Sequence, residues 1–242
     1  MATDANVSQT ILRGLLRQLP AEFHSALDYQ FFNLPSRYFK TLDMKAIQAD
    51  LRLISKIHGA QAIVSICDLN DKLTIQVIVE KDEPRIFLRV VSVLASHGIN
   101  ILEAAIFTGK KDSMVVDHFV VDNRANRAVL DRACREIRDS LVQTKSVEPL
   151  LPNPDNSGLL VMCSQFNADH TLVTVAARDQ IGFLYRVARV FAELDLRLKY
   201  AEIKTRDDHI VDTFYVVTAQ GVKLDNAKVA DLRSAVNVAF AS

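Results

Sequence analysis

The chain has 242 residues, enough for one large or two small domains whose cores need no disulfide or metal. Lysine plus arginine number 29, as do aspartate plus glutamate, so the formal net charge is zero. That balance argues against nucleic acid as a partner, which needs a basic stripe to displace counterions, and against a polybasic membrane-surface module. Glycine occurs seven times, against about 17 at average usage, so glycine-rich phosphate loops are not expected.

The first ten residues, MATDANVSQT, carry neither a basic nor an apolar leader segment, and no run reaches membrane-helix length. Cys67, Cys134 and Cys163 are widely separated and form no CxxC pair. They read as buried reduced thiols of a cytoplasmic protein. Residues 1–58 read as a helical arm. Ile11, Leu15, Leu16 and Leu19 predict one helix, ended near Pro20. Asp43 is placed to cap a second helix with Ile47, Leu51, Ile54 and His58 on one face and Gly59 past its end. Between them, Phe31, Phe32, Tyr38 and Phe39 around Pro35 predict an anchor packed on something apolar.

Beyond the arm the chain repeats itself at a spacing of 97 residues. Asp82 falls on Asp179, Arg89 on Arg186, Val93 on Val190, Ala95 on Ala192, Ala104 on Ala201 and Thr108 on Thr205. A two-residue deletion then brings Val116-Asp117-His118-Phe119 onto Val211-Asp212-Thr213-Phe214. The copies occupy residues 60–144 and 157–242, joined by a linker over 145–156 that contains Pro149, Pro152 and Pro154. In the first copy, β-branched runs over 61–67 and 72–80 predict a hairpin. Ile86, Phe87, Val90, Val91 and Leu94 then recur at helical spacing, with Gly98 at the helix end. Residues 99–108 and 114–121 form a second hairpin, and Leu130, Ala133, Cys134, Ile137 and Leu141 a closing helix. The order ββαββα, twice, predicts an α+β fold of two circularly permuted ferredoxin-like units, the first strand of each filling the place of the usual last strand.

A strand-to-helix turn points backbone N–H groups at an anion. In the second copy this turn is Asp179-Gln180-Ile181-Gly182-Phe183-Leu184. Gly182 opening a helix indicates either close approach of a ligand or a φ that only glycine tolerates. Asp179 can hold an ammonium group or simply cap the helix.

The turn pattern, with its aspartate and glycine or proline, followed by Gly98-Ile99-Asn100-Ile101 at a strand start, resembles the ACT domain, a small-molecule-sensing regulatory fold. Tandem copies preceded by Leu34-Pro35-Ser36-Arg37-Tyr38-Phe39 resemble more narrowly the C-terminal part of the PII-protein uridylyltransferase/uridylyl-removing family, over roughly residues 29–240. The resemblance implies glutamine sensing by paired ACT units, with ligand held between one copy's turn and the other's second-strand start. On that geometry Asp179, Gln180, Ile181, Gly182, Phe183 and Leu184 face Asn100 and Ile101 in a competent site. Asp82, Arg85 and Arg197 form a degenerate one, in which two arginines would crowd the pocket. The family's Gly-Ser and His-Asp catalytic dipeptides do not occur, and 58 residues before the repeats leave no room for its catalytic domains. No enzyme activity, cofactor or metal is therefore expected; the six histidines never approach ligand spacing. The expected function is a stand-alone amino-acid sensor, with a protein partner or a second copy met through the arm. The alternatives are a regulatory subunit of a separately encoded catalyst and a purely structural ACT pair.

Overall fold

The computed structural model describes residues 12–24, 27, 31, 33–57, 59–83, 85–110, 113–122 and 126–241. Residues 12–18 are helical, Ala21–Phe23 form a 3-10 turn, and two helices complete the arm: α1 (Tyr38–Thr41) and α2 (Met44–Ile54). Asp43 caps α2 as expected, its side chain accepting from Ala46 N at 2.9 Å. The helix ends at Ile54 rather than near residue 58, because the amides of Lys56 and Ile57 turn to the tighter carbonyls of Leu53 and Ile54. Ile11, Phe32 and His58 lie outside the described residues.

The first unit comprises β1 (Ala62–Leu69), β2 (Lys72–Lys81), α3 (Ile86–Ser96), β3 (Ile101–Thr108), β4 (Ser113–Val121) and α4 (Arg127–Gln143). The second repeats it with β5 (Leu160–Ser164), β6 (Thr171–Arg178), α5 (Phe183–Glu193), β7 (Leu196–Arg206), β8 (His209–Thr218) and α6 (Asn226–Ala239). Asn70 and Asp71 both take positive φ, 53° and 61°. That is the two-residue turn whose twist matches the flanking strands, and it fixes the β1–β2 register. Strand β3 begins at Ile101, two residues later than the sequence pattern suggested, because Ile99 N closes the end of α3 by donating to Leu94 O.

All strand pairs are antiparallel, in the order β1-β2-β4-β3-β7-β8-β6-β5. Each half is the ferredoxin-like sheet, with the unit's first strand beside its second as the permutation requires. The halves join where β3 pairs with β7, from Glu103 opposite Lys204 to Phe107 opposite Tyr200. One face of the sheet carries α3 to α6, and the core beneath them is shared across the join. Phe87 of the first unit lies 6.5 Å from Phe119 and 6.4 Å from Phe214 of the second, which meets Phe191 edge-on at 5.1 Å.

The arm covers the other face over the first unit. Leu15, Leu19, Phe23, Leu34, Tyr38, Phe39, Ile47 and Leu51 pack with Ile78, Phe107, Val116 and Tyr200. Arg37 extends this contact to the second unit, its guanidinium lying over the rings of Tyr200 (4.6 Å) and Tyr215 (4.5 Å). The aromatic anchor thus packs against the chain's own sheet. Among the described residues no helix is long and apolar enough to cross a membrane.

Candidate functional site

The join between the units creates two pseudo-equivalent sites, each made from one unit's strand-to-helix turn and the start of the other unit's middle strand. At the first, Asn100 Nδ2 donates to Asp179 Oδ2 at 2.7 Å, bringing together two residues that the family resemblance put in one site. Asn100, Ile101, Asp179, Gln180, Gly182, Phe183 and Leu184 all line this place, whereas Ile181 lies 40% exposed outside it. The cavity they enclose is small, about 20 Å³, room for a single water.

What fills the neighbourhood is the linker. Gly182 has φ +83°, and a Cβ added there would lie 2.4 Å from Leu151 Cδ1. The two sequence-level reasons for this glycine, left-handed backbone and close approach, therefore both operate, but the approaching group is a side chain of the same protein. Gln180 Nε2 donates to Asp155 O at 2.6 Å, and its Oε1 accepts from Asp155 N at 3.0 Å. Arg186 Nη2 donates to Pro152 O at 2.6 Å. The segment between the units is a strap over the Gly182 turn, and it engages the amide that was expected to meet a ligand.

The second site is built alike but open. Arg197 Nη2 donates to Asp82 Oδ2 at 2.9 Å, forming a half-buried ion pair. A cavity of about 370 Å³ opens beside it, within the range that small-ligand pockets occupy. Its walls are Ile86, Phe87, Ile106, Phe191 and Leu198, with Thr108 and Asp117 among them. Both arginines of the expected degenerate site line this cavity, together with Lys81; Arg197 is held by Asp82, and Arg85 is an exposed residue. Space is therefore distributed in the opposite sense to the residue identities: the turn with glycine is closed and the turn with arginine is open.

Arg85 keeps the backbone conformation of its counterpart, with φ +73° against +83° at Gly182. A side chain in the left-handed region costs ~1–2 kcal/mol, and glycine returns roughly 0.5–1 kcal/mol of that through unfolded-chain entropy. Arg85→Gly is expected to stabilise the chain by about 0.5 kcal/mol in urea denaturation. A loss of more than about 1 kcal/mol would show that the arginine side chain offsets its strain through contacts of its own.

Two carboxyl groups were missed by the motif reading. Asp117 on β4 and Asp212 on β8 are repeat equivalents, 0% and 1% exposed, and each lines one of the two cavities. Asp117 Oδ1 accepts from Phe107 N at 3.3 Å and Asp212 Oδ1 from Lys204 N at 3.2 Å. Among the described residues the Oδ2 atom of each is buried without a partner. Burial pushes Asp212 up to about 8, against the Lys204 amide and with the charge of Asp179 adding, and raises Asp117 well above the carboxylate range. The available signal was an aspartate kept by both copies inside a β-branched run.

Neither metal binding nor thiol chemistry draws support. Among the described residues no group of three or more His, Cys, Asp or Glu is placed to hold a metal ion. Burial pushes the thiols of Cys67 and Cys134 up to about 11, which keeps them protonated at neutral pH.

Comparison with known proteins places this geometry in a context. A bifunctional uridylyltransferase/uridylyl-removing enzyme of Rhodospirillum rubrum is 27% identical over 223 residues, covering 84% of this chain and 24% of its own length. That of Azospirillum brasilense is 24% identical over 93% of this chain and 26% of its own. The chain is similar in sequence to these enzymes. It spans about a quarter of their length. No family model matches. Among solved structures, aspartate kinase from Synechocystis aligns over 70% of this chain and 27% of its own, with a TM-score of 0.42 and 13% identity.

Proposed function

We propose that the chain is a regulatory module of tandem ACT units, non-catalytic and cytoplasmic, that binds a small amino acid between them. Residues 1–58 are taken as its arm, 60–144 and 157–242 as the units, and 145–156 as the strap. The observation that carries this reading is the Asp82–Arg197 ion pair beside a cavity of about 370 Å³. A zwitterion is the ligand class that such a pair complements. Its ammonium is received by Asp82, and its carboxylate by Arg197 and the N–H groups of the first turn of α3, which have no partner within the helix. The apolar walls take the side chain. Similarity to part of the uridylyltransferase/uridylyl-removing enzymes supports a regulatory rather than a catalytic role, and the family resemblance makes glutamine the first amino acid to test. A ligand there touches residues of both units, so binding tightens their join at β3 and β7 and passes a signal to a protein partner.

A thermal-shift screen of the twenty amino acids tests this. A ligand of millimolar affinity at ~10 mM contributes about 1.4 kcal/mol, a shift of a few degrees. Arg197→Leu is expected to lose the shift. A melting point that no amino acid moves would overturn the reading.

A further inference from the structure

Strand β1 is built like an interior strand yet sits at the edge of the sheet. Its run Ala62-Ile63-Val64-Ser65-Ile66-Cys67 is nearly continuous in apolar residues, the pattern of a strand covered on both faces. Both covers are present. Val64 and Ile66 pack on the core beneath the helices, where α4 lies over β1, and Ile63 packs on the arm. Residues 63–67 are nevertheless only half-buried, whereas residues 74–79 of the neighbouring β2 are buried without a break. With both faces covered, the exposure that remains runs along the free edge.

Among the described residues β1 pairs only with β2. Leu69 and Lys72 flank the two-residue turn and form a hydrogen-bonded pair, and the alternation makes Cys67–Thr74, Ser65–Gln76 and Ile63–Ile78 the others. The backbone N–H and C=O groups of Val64, Ile66 and Asp68 therefore point away from the sheet. Such a row is normally blunted by lysine, proline, a bulge or a very short strand. β1 has eight residues, none of them Lys, Arg, Pro or Gly, and its register with β2 runs unbroken from Ala62 to Leu69. The opposite edge, β5, has five residues and leaves Leu160 and Met162 half exposed, so it lacks the two-sided cover that marks β1.

We propose that β1 is the interface with a second copy of this chain: two β1 strands pair antiparallel about a twofold axis at Ser65 and join the sheets edge to edge. A twofold axis presents the same row of donors and acceptors to itself in antiparallel sense, so each copy satisfies the other. Val64 of one copy faces Ile66 of the other, and these pairs exchange the outward-pointing bonds. Asp68 falls opposite Ala62 at each end, which keeps the two carboxylates apart. The axis stands perpendicular to the sheet, so the helix side of one copy continues into the helix side of the other. A second β1 thus brings its own α4 and its own arm to cover both faces, which an isolated extended peptide on this edge would lack.

Sedimentation velocity of the full chain tests this, the expected species being a dimer of the 27.0 kDa chain. Val64→Pro removes an outward N–H and none of the bonds to β2, a position at which an edge strand tolerates proline. It is expected to give a monomer with an unchanged far-ultraviolet circular dichroism spectrum. Ser65→Cys is expected to form a covalent dimer under mild oxidation, because the axis sets the two introduced thiols on Cα atoms about 4.5 Å apart, within disulfide range. The wild-type chain is expected to stay uncross-linked, since Cys67 then lies about 13 Å along the strand from Cys67 of the second copy. If Val64→Pro does not fold, the cross-link decides alone. A monomeric wild type, a mass that grows without limit as concentration rises, a dimer that survives Val64→Pro, or a Ser65→Cys chain that does not cross-link would overturn the proposal.

Discussion

Replacing Asp50 by alanine is expected to destabilise the protein by about 3–5 kcal/mol, the cost of breaking a buried charge-bearing network from one side. Asp50 lies on α2 at 0% exposure and is the single acceptor for three groups. Tyr38 OH donates to Oδ2 at 2.6 Å, Gln76 Nε2 to Oδ1 at 2.7 Å, and His118 Nε2 lies 2.9 Å from both oxygens. Burial, with the neighbouring Asp50 adding, raises the Tyr38 phenol well above its usual value, so it stays a donor at any neutral pH. Alanine would strand all three groups, buried as they are between the arm and the sheet. Because Gln76 and His118 belong to β2 and β4 whereas Tyr38 belongs to the arm, the damage should centre on arm docking. Urea denaturation gives the size of the loss. Hydrogen exchange gives its place, with α2 amides losing protection before those of β2 and β4. A loss below about 1 kcal/mol would mean that this network does not hold the arm.

Asp212→Asn is expected to have an effect of similar size and opposite sign at alkaline pH. The folded-state value of Asp212 is about 8, against roughly 3.9 for the unfolded chain. Between those values the native state binds a proton that the unfolded state has released, so stability falls as pH rises through the window. Below pH ~4 both states are protonated and nothing is lost; above pH ~8 the loss is complete, on the order of 3–5 kcal/mol. Asparagine keeps the acceptor for Lys204 N without an ionisable group. The difference in stability between variant and wild type should therefore be near zero at pH 4 and grow to several kcal/mol by pH 9, measured as urea midpoints. Parallel profiles would contradict the assignment. Taking the difference isolates Asp212 from Asp117, which titrates identically in both proteins.

The repeat was legible because every strand and helix keeps its apolar pattern in both copies, and 97-residue self-similarity fixed the topology once the permuted strand was recognised. Asn70 and Asp71 declared their hairpin through turn chemistry alone. Placing Asn100 opposite Asp179 came from the ACT resemblance and not from the repeat, whose arithmetic matches Asp179 to Asp82 and Asn100 to Arg197. Which of the two sites is open did not follow. That depends on Leu151, a linker residue with no periodicity to mark it, whose side chain occupies the space above Gly182. Glycine signals close approach without naming what approaches. Asp50 was within reach of sequence reasoning: it falls among Ile47, Leu51 and Ile54 on the apolar stripe of α2, and a charged residue on such a stripe implies a buried partner. Asp117 and Asp212 were equally available, hidden only because an aspartate in a strand pattern reads as solvent-facing until its parity is counted.

The most direct test of the account is a crystal structure of the chain soaked with glutamine. The account predicts density for one molecule between Asp82 and Arg197, with Leu151 still seated on Gly182. Density confined to the Asn100–Asp179 turn, with the Asp82–Arg197 cavity empty at saturating glutamine, would contradict it.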